Sequence, residues 1–185
     1  MFFRSERLFL RPGWPEDWEE VLARMADEDV VRNLATAPWP YTAEDARVFA
    51  ARPQDPRFPH FLVTLPSSEG AAVIGSAGLR AGPNSGDVEL GYWIARDHWG
   101  QGYATEVARA MLCLARPLGH GRVIAEHFAD NPASGRVLRK VGFRATGSRH
   151  LRQSLARGGA AWALGYEIEL DAVSGDGGDR MKRAA

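Results

Sequence analysis

Apolar residues recur along this chain with two different periods, and each change of period marks the boundary of a predicted element. Residues 7–11 predict a short strand, and residues 18–25 repeat apolar side chains at helical spacing after Pro15. A second helix is predicted to begin at Thr42, whose capping-box partner is Asp45 three residues later. The chain therefore opens with a strand followed by two amphipathic helices.

The middle of the chain predicts a meander and then a crossover. Three β-rich runs, residues 60–65, 72–79 and 87–94, are separated by turn-forming stretches, which favours three antiparallel strands. Apolar positions then repeat with helical period over residues 104–115, and residues 122–128 predict a buried strand. A strand, a helix and a further strand in this order predict a parallel pair.

A last helix is predicted from Asn131, as its cap, to Gly142, and the final strand pair is predicted at residues 143–148 and 162–170. The fold class is therefore α/β (α+β), a mixed and mostly antiparallel central sheet flanked by helices. A chain of 185 residues fits one domain. We assign it to residues 1–173 and predict a disordered tail at 174–185, where apolar side chains are scarce.

Composition narrows the choice of partners. Lys plus Arg and Asp plus Glu both total 23, so no whole-molecule field attracts nucleic acid or anionic lipid, and we expect neither as a partner. The single cysteine, Cys113, excludes an intrachain disulfide, and the five histidines lack metal-ligand spacing, so no metal is expected. No apolar run approaches the ~18 residues of a membrane span. We expect a cytoplasmic protein, either a monomer or a homodimer.

The segment from Trp99 to Thr105, WGQGYAT, joins a predicted strand to a predicted helix. Its glycines allow the backbone to approach a ligand closely, and successive N–H groups at a helix N-terminus bind phosphate without any lysine. Neither the P-loop spacing nor the dinucleotide spacing occurs here. On this loop alone, an ordinary tight turn remains an equal interpretation.

A second segment changes that balance. The run NPAS at residues 131–134 follows the strand at 122–128, and together with ELGYWI at 89–94 and WGQGYATE at 99–106 it resembles the GNAT acetyltransferase superfamily. The likeness covers residues 7–170 and is nearest to the ribosomal-protein-alanine N-acetyltransferase (RimJ/RimL-like) branch. Two positions depart from the family pattern. Trp99 stands where Arg or Gln is usual, and Leu138 stands where many members carry a tyrosine acid.

The resemblance implies acetyl-CoA as co-substrate and a parallel strand pair that splays apart to hold its pantetheine. The pyrophosphate is expected on the backbone of the glycine loop, and the backbone N–H of Ile94 or its neighbour is expected to stabilise the oxyanion. The cofactor-binding residues that it implies are Trp93, Ile94, Trp99, Gly100, Gln101, Gly102, Tyr103, Ala104, Thr105, Asn131 and Ser134.

Amine acetylation needs a proton acceptor and a group that serves the leaving thiolate. Glu89, a carboxylate in an apolar strand, is the predicted base, and we expect partial burial to raise its pKa. A solvent-exposed Glu89 and a water relay are the alternatives. Ser134 is the predicted acid because Leu138 cannot donate a proton, although Ser134 could equally serve only as a backbone partner at the helix start.

The acceptor side is the least defined part of the prediction. Trp39 and Tyr41 lie in the loop between the first two helices, and the resemblance places that loop beside the acceptor; they could instead only plug the core. We predict direct acetyl transfer, in a ternary complex, to a protein N-terminal α-amino group or to a small-molecule amine. The alternative is a non-catalytic acyl-CoA-binding regulator of the same fold.

Overall fold

A computed structural model describes residues 1–68 and 70–170, and within these residues the chain forms eight strands and five α-helices. The predicted domain end at residue 173 and the predicted tail at 174–185 lie outside the described residues. The helices are α1 (Trp18–Met25), α2 (Glu28–Val31), α3 (Ala43–Ala50), α4 (Tyr103–Ala115) and α5 (Pro132–Lys140). The strands are β1 (Phe3–Arg4), β2 (Phe9–Arg11), β3 (His60–Ser67), β4 (Gly70–Ala81), β5 (Val88–Ile94), β6 (Arg122–Phe128), β7 (Arg144–Ser154) and β8 (Gly159–Glu169).

The strands form one sheet in the order β1-β2-β3-β4-β5-β6-β8-β7, and only β5 and β6 are parallel. This confirms the mixed, mostly antiparallel sheet, the meander β3-β4-β5 and the crossover through α4. The predicted boundaries differ in places, most clearly in β7, which was predicted to end at residue 148 but continues to Ser154. Its polar, exposed sequence lacks the alternation that marks a half-buried strand.

The parallel pair separates soon after it begins. Val88 pairs with Val123 and Glu89 pairs with Ile124, and no later residues of β5 and β6 are partners. Because both strands continue beyond that point, they diverge and leave a gap in the sheet. We call this gap the fork.

Local sequence sets the ends of the helices that border the fork. Thr42 Oγ1 accepts from the N–H of Asp45 at 3.3 Å, and Asp45 Oδ2 accepts from the N–H of Thr42 at 2.8 Å, so the predicted capping box of α3 is confirmed. Asn131 Oδ1 accepts from the N–H of Ser134 at 3.2 Å and caps α5 as predicted. Gly142, with φ of 103°, follows the last turn of α5.

Two apolar cores lie on opposite faces of the sheet. The larger core packs α4 and α5 against the sheet, with Val107, Met111 and Leu138 at its centre. The smaller core packs α1, α2 and α3 against the other face and contains Val21 and Trp93. Among the described residues, no helix is long and apolar enough to cross a membrane.

Candidate active site

A cleft of about 1370 Å³ passes through the fork. Its lining combines residues from both faces of the sheet, including the loop before α4, the start of α5 and side chains of β4, β5, β6 and β7. Ligand pockets commonly measure roughly 300–1,000 Å³. The cleft therefore has room for an extended ligand together with a second molecule.

On one side, the cleft meets an open helix N-terminus. Gly102 is the N-cap of α4 in the left-handed region, with φ of 83°, and it forms no side-chain cap. The N–H groups of Thr105 and Glu106 both donate to the Gly102 carbonyl at 3.1 Å. The N–H groups of Tyr103 and Ala104 come earlier in the helix, where no intrahelical acceptor exists. Together with the helix dipole, this arrangement suits an anion.

Side chains from distant positions fix the loop before α4. Trp99 Nε1 donates to the Ile94 carbonyl at 2.7 Å, which ties the loop to the end of β5. Arg7 donates through Nη1 to the Gln101 carbonyl at 3.2 Å and through Nε to Glu106 at 2.8 Å. The family pattern has a cationic or amide side chain where this chain has Trp99, and the guanidinium of Arg7, whose charge is paired with Glu106, donates to the same loop. We call residues 99–105 the loop wall.

Beyond the last β5–β6 pair, alternate backbone N–H groups of β5 point into the fork. The N–H of Ala95 donates to the Ile74 carbonyl at 2.8 Å and therefore points toward β4. Because N–H directions alternate along a strand, the N–H of Ile94 points toward β6, beyond the last β5–β6 pair. Of Ile94 and its neighbour Ala95, it is therefore the N–H of Ile94 that points into the fork.

On the other side, the cleft is lined by paired charges. Glu89 accepts hydrogen bonds from Arg80 on β4 and, at 2.9 Å, from Arg152 on β7. Arg152 also binds Glu126 on β6, so one guanidinium joins carboxylates on both strands of the fork. Arg80, Glu89, Glu126 and Arg152 all line the cleft, and we call them the ionic wall.

The ionic wall corrects the expected pKa of Glu89. The Glu89 side chain is only 13% exposed, which excludes a solvent-facing carboxylate. Burial alone would raise its pKa, as predicted, but the hydrogen bonds and charges of Arg80 and Arg152 outweigh burial and hold the pKa below its usual value. The predicted direction was wrong because both arginines come from other strands, which the local sequence around Glu89 does not reveal.

At the start of α5, Ser134 contacts a residue that the sequence analysis did not single out. The Tyr92 hydroxyl lies 2.9 Å from Ser134 Oγ, and burial raises the pKa of Tyr92 to about 12. Leu138 is fully within the larger core, so it offers no polar atom to the cleft. The ELGYWI run contains Tyr92, and strand alternation places it on the face opposite Glu89. That alternation was the available signal.

Most of the predicted site residues line this one cleft, whereas two do not. Trp39 is 38% exposed and lies outside the lining, while Tyr41 is buried within it, with a pKa raised to about 12 by burial and the charge of Asp45. The Gln101 side chain turns away and donates to the Asp97 carbonyl at 3.2 Å. The predicted residues that line the cleft are Tyr41, Glu89, Trp93, Ile94, Trp99, Gly100, Gly102, Tyr103, Ala104, Thr105, Asn131 and Ser134.

The described residues contain no group of three His, Cys, Asp or Glu side chains placed to hold a metal ion. Cys113 is exposed on α4. Arg80, Glu126 and Arg152 were also missed by the sequence analysis, and no motif marks them. Arg152 lies on β7, one strand beyond β8, pairs with Ala161 and still reaches Glu126 on β6.

Comparison with known proteins agrees with this geometry. Residues 7–144 match the family model of the acetyltransferase (GNAT) domain. The protein named "Uncharacterized N-acetyltransferase YoaA" of Bacillus subtilis (strain 168) is 30% identical over 164 residues, covering 85% of this chain and 90% of that protein. A GNAT-family acetyltransferase from Bacillus anthracis superposes with a TM-score of 0.75 at 26% identity, covering 91% of this chain and 98% of that one.

RimL, a ribosomal L7/L12 alpha-N-protein acetyltransferase solved with coenzyme A, superposes with a TM-score of 0.71. At 18% identity, over 93% of this chain and 99% of RimL, it shows the shared fold alone. The family model, by contrast, covers most of the chain, including the loop wall and the ionic wall up to Glu126. The chain therefore belongs to the GNAT acetyltransferase family and is an N-acetyltransferase that depends on acetyl-CoA.

Proposed function

We propose that the protein transfers the acetyl group directly from acetyl-CoA to a primary amine, with both substrates bound together. The observation that carries the proposal is the single cleft that passes through the fork, with an anion-binding loop on one face and ionised side chains on the other. A donor and an acceptor that enter from opposite faces meet where the sheet is open. No covalent enzyme intermediate is needed in this arrangement.

The loop wall is the proposed site of the co-substrate. The free N–H groups before and within the first turn of α4 suit its pyrophosphate, and Arg7 adds charge at the same loop. The pantetheine is proposed to lie beside Asn131, Ser134 and Trp93. The acetyl group then lies at the Ile94 amide. The Ile94 N–H is the proposed donor to the oxyanion, since it lies where β6 no longer pairs.

Glu89 remains the proposed proton acceptor, with a role adjusted to its lowered pKa. It is ionised throughout the neutral range and is a weaker base than an unpaired carboxylate, so proton transfer through a water molecule fits it better than direct abstraction. Its ionic partners also hold its orientation. Tyr41 and the loop beside it are proposed to contact the acceptor. Trp39 lies outside the cleft lining, so it is proposed to contact the acceptor only outside the cleft.

For the acceptor we propose a protein N-terminal α-amino group, in keeping with the RimJ/RimL-like resemblance, with a small-molecule amine as the second candidate. A cleft of this size leaves room for several residues of an extended peptide beside the co-substrate. The acetyltransferases of known acceptor that share this fold include one for a ribosomal protein.

The test is acetyl-CoA turnover with two acceptor sets, namely short peptides with free or blocked α-amino groups and small primary amines. Peptides with a free α-amino group are expected to give the higher kcat/KM, and blocked peptides none. Initial-rate lines that intersect when both substrates are varied support the ternary complex, whereas parallel lines contradict it. Turnover of small amines alone would assign the second candidate acceptor.

A further inference from the structure

Two hydroxyl groups meet across the fork. Tyr92 lies on β5 beyond the last β5–β6 pair, and its hydroxyl is 2.9 Å from Oγ of Ser134. Ser134 is the third residue of α5, and its N–H is held by the Asn131 cap. Both side chains line the cleft. The contact therefore joins β5 to the start of α5 at the point where the cleft crosses the sheet.

The acidity of the two hydroxyls sets the direction of this hydrogen bond. Each hydroxyl carries one proton, so a serine that donates to Tyr92 has none left for a ligand. A phenol, with an ordinary pKa of about 10, is the stronger donor of the two. When Tyr92 donates, the Ser134 proton is free to point elsewhere into the cleft, and the bond that Ser134 accepts polarises its own O–H.

We propose that Tyr92 is a positioning residue for acetyl transfer, which donates its O–H to Ser134 and thereby directs the Ser134 proton toward the sulfur of acetyl-CoA. The inference rests on the proposed function. It also accounts for Leu138, which is buried in the larger core at the position where the family resemblance places a tyrosine acid. In this chain the tyrosine hydroxyl comes from the neighbouring strand instead.

The reaction balances without any further reactant. The acceptor nitrogen forms a bond to the acetyl carbon, the carbon–sulfur bond breaks, and its electron pair remains on sulfur. The Ser134 hydroxyl donates a hydrogen bond to that developing charge. The acceptor nitrogen releases one proton through water to Glu89, and the CoA thiolate takes up one proton from solvent, so the protons balance.

The electrostatics of Tyr92 agree with hydrogen-bond donation rather than release of its proton. Burial raises the pKa of Tyr92 to about 12. The phenol therefore keeps its proton throughout the neutral range. Tyr92 therefore orients the Ser134 hydroxyl without giving up its own proton. It is not the source of the proton that reaches sulfur.

The test measures the pKa of the CoA thiol in the binary complex from the ultraviolet absorbance of its thiolate, with the full chain and no acceptor. In the wild-type complex this pKa is expected below that of the thiol of free CoA, measured in the same buffer. Ser134→Ala should shift the thiolate equilibrium back about tenfold, and Tyr92→Phe, which removes only the hydroxyl, roughly threefold to tenfold. The double variant should resemble Ser134→Ala, because the two groups act in series.

Two control variants separate positioning from general disturbance of α5. Tyr166→Phe also removes a buried hydroxyl, one that accepts a bond from Arg139 on the same helix, and it should leave the thiol pKa unchanged. Ser134→Thr keeps a hydroxyl and should keep the lowered pKa. If Tyr92→Phe leaves the thiol pKa at the wild-type value, or if Tyr166→Phe shifts it equally, the proposal is overturned. Absence of any CoA binding by the wild-type protein would overturn the proposed function as well, and is distinguishable from both results.

Discussion

The two walls of the cleft are built from different parts of the protein chain. The loop wall offers backbone N–H groups at a helix that has no side-chain cap, and its residues are consecutive in sequence. The ionic wall offers side chains from four strands, β4, β5, β6 and β7, held together by Arg152 and its partners. Backbone donors bind any suitably placed phosphate, whereas the pKa of each charged group in a cluster depends on its partners. Side-chain changes should therefore alter activity more at the ionic wall than at the loop wall.

The largest expected effect is on the ionic wall. Glu89→Gln keeps the size of the side chain but removes its basicity and one of the two oxygens that accept from Arg80, so kcat near neutral pH should fall by ~10²–10⁴-fold, with CoA affinity nearly unchanged. The defect should shrink as pH rises and more free amine becomes available. Glu167→Gln provides the matched control, because Glu167 is also paired to an arginine, Arg122, but lies outside the cleft. Wild-type kcat in the Glu89 variant at all pH values would reduce Glu89 to a structural residue.

The next effect concerns the loop wall, where only a backbone change should matter. Gly102→Val places a branched side chain at φ of 83° and beside Arg7, 3.6 Å from the new Cβ, so CoA affinity should fall by roughly 10–100-fold through lost phosphate hydrogen bonds. Gly119→Val carries the same strain, at φ of 82°, with no atoms within 4 Å and no place in the cleft. Calorimetric titration with CoA compares the two. Equal losses in both variants would mean that backbone strain, not phosphate contact, is responsible.

A smaller change sharpens the role assigned to the ionic wall. Arg80 is one of the groups that lower the pKa of Glu89, so Arg80→Gln should raise that pKa toward its ordinary value. The carboxylate then becomes a stronger base while remaining ionised at neutral pH, and kcat should rise by about threefold. A carboxyl NMR titration checks the pKa, and steady-state kinetics checks the rate. A raised pKa with an unchanged rate would argue against Glu89 as the proton acceptor.

The smallest expected effect compares two helix caps. Asn131→Ala and Thr42→Ala each remove a side-chain cap, from α5 and α3, and each should lower the free energy of unfolding by about 1 kcal/mol. Only the Asn131 variant should also weaken CoA binding, by a few-fold, because its cap positions Ser134 at the cleft. Denaturant unfolding and CoA titration separate the two effects. Equal CoA affinity in both variants would limit Asn131 to capping.

The sequence alone was enough to predict the features that depend on interactions between residues close together in the chain. The caps at Thr42 and Asn131, the meander and the glycine loop were all predicted correctly, because each follows from hydrogen bonds and apolar periods within a short segment. The mixed sheet followed from the order of these segments, and the family from the resemblance carried by the motifs at 89–94, 99–106 and 131–134.

Only the tertiary structure decided the electrostatics of the site. The pKa of Glu89 is lowered rather than raised because Arg80 on β4 and Arg152, 63 residues away in sequence on β7, both pair with it and outweigh burial. The hydroxyl pair of Tyr92 and Ser134 likewise forms between a strand and a helix that are separate in sequence. Charge and hydrogen-bond energies depend on distances in space, and spacing along the chain does not set those distances once strands from different segments lie side by side.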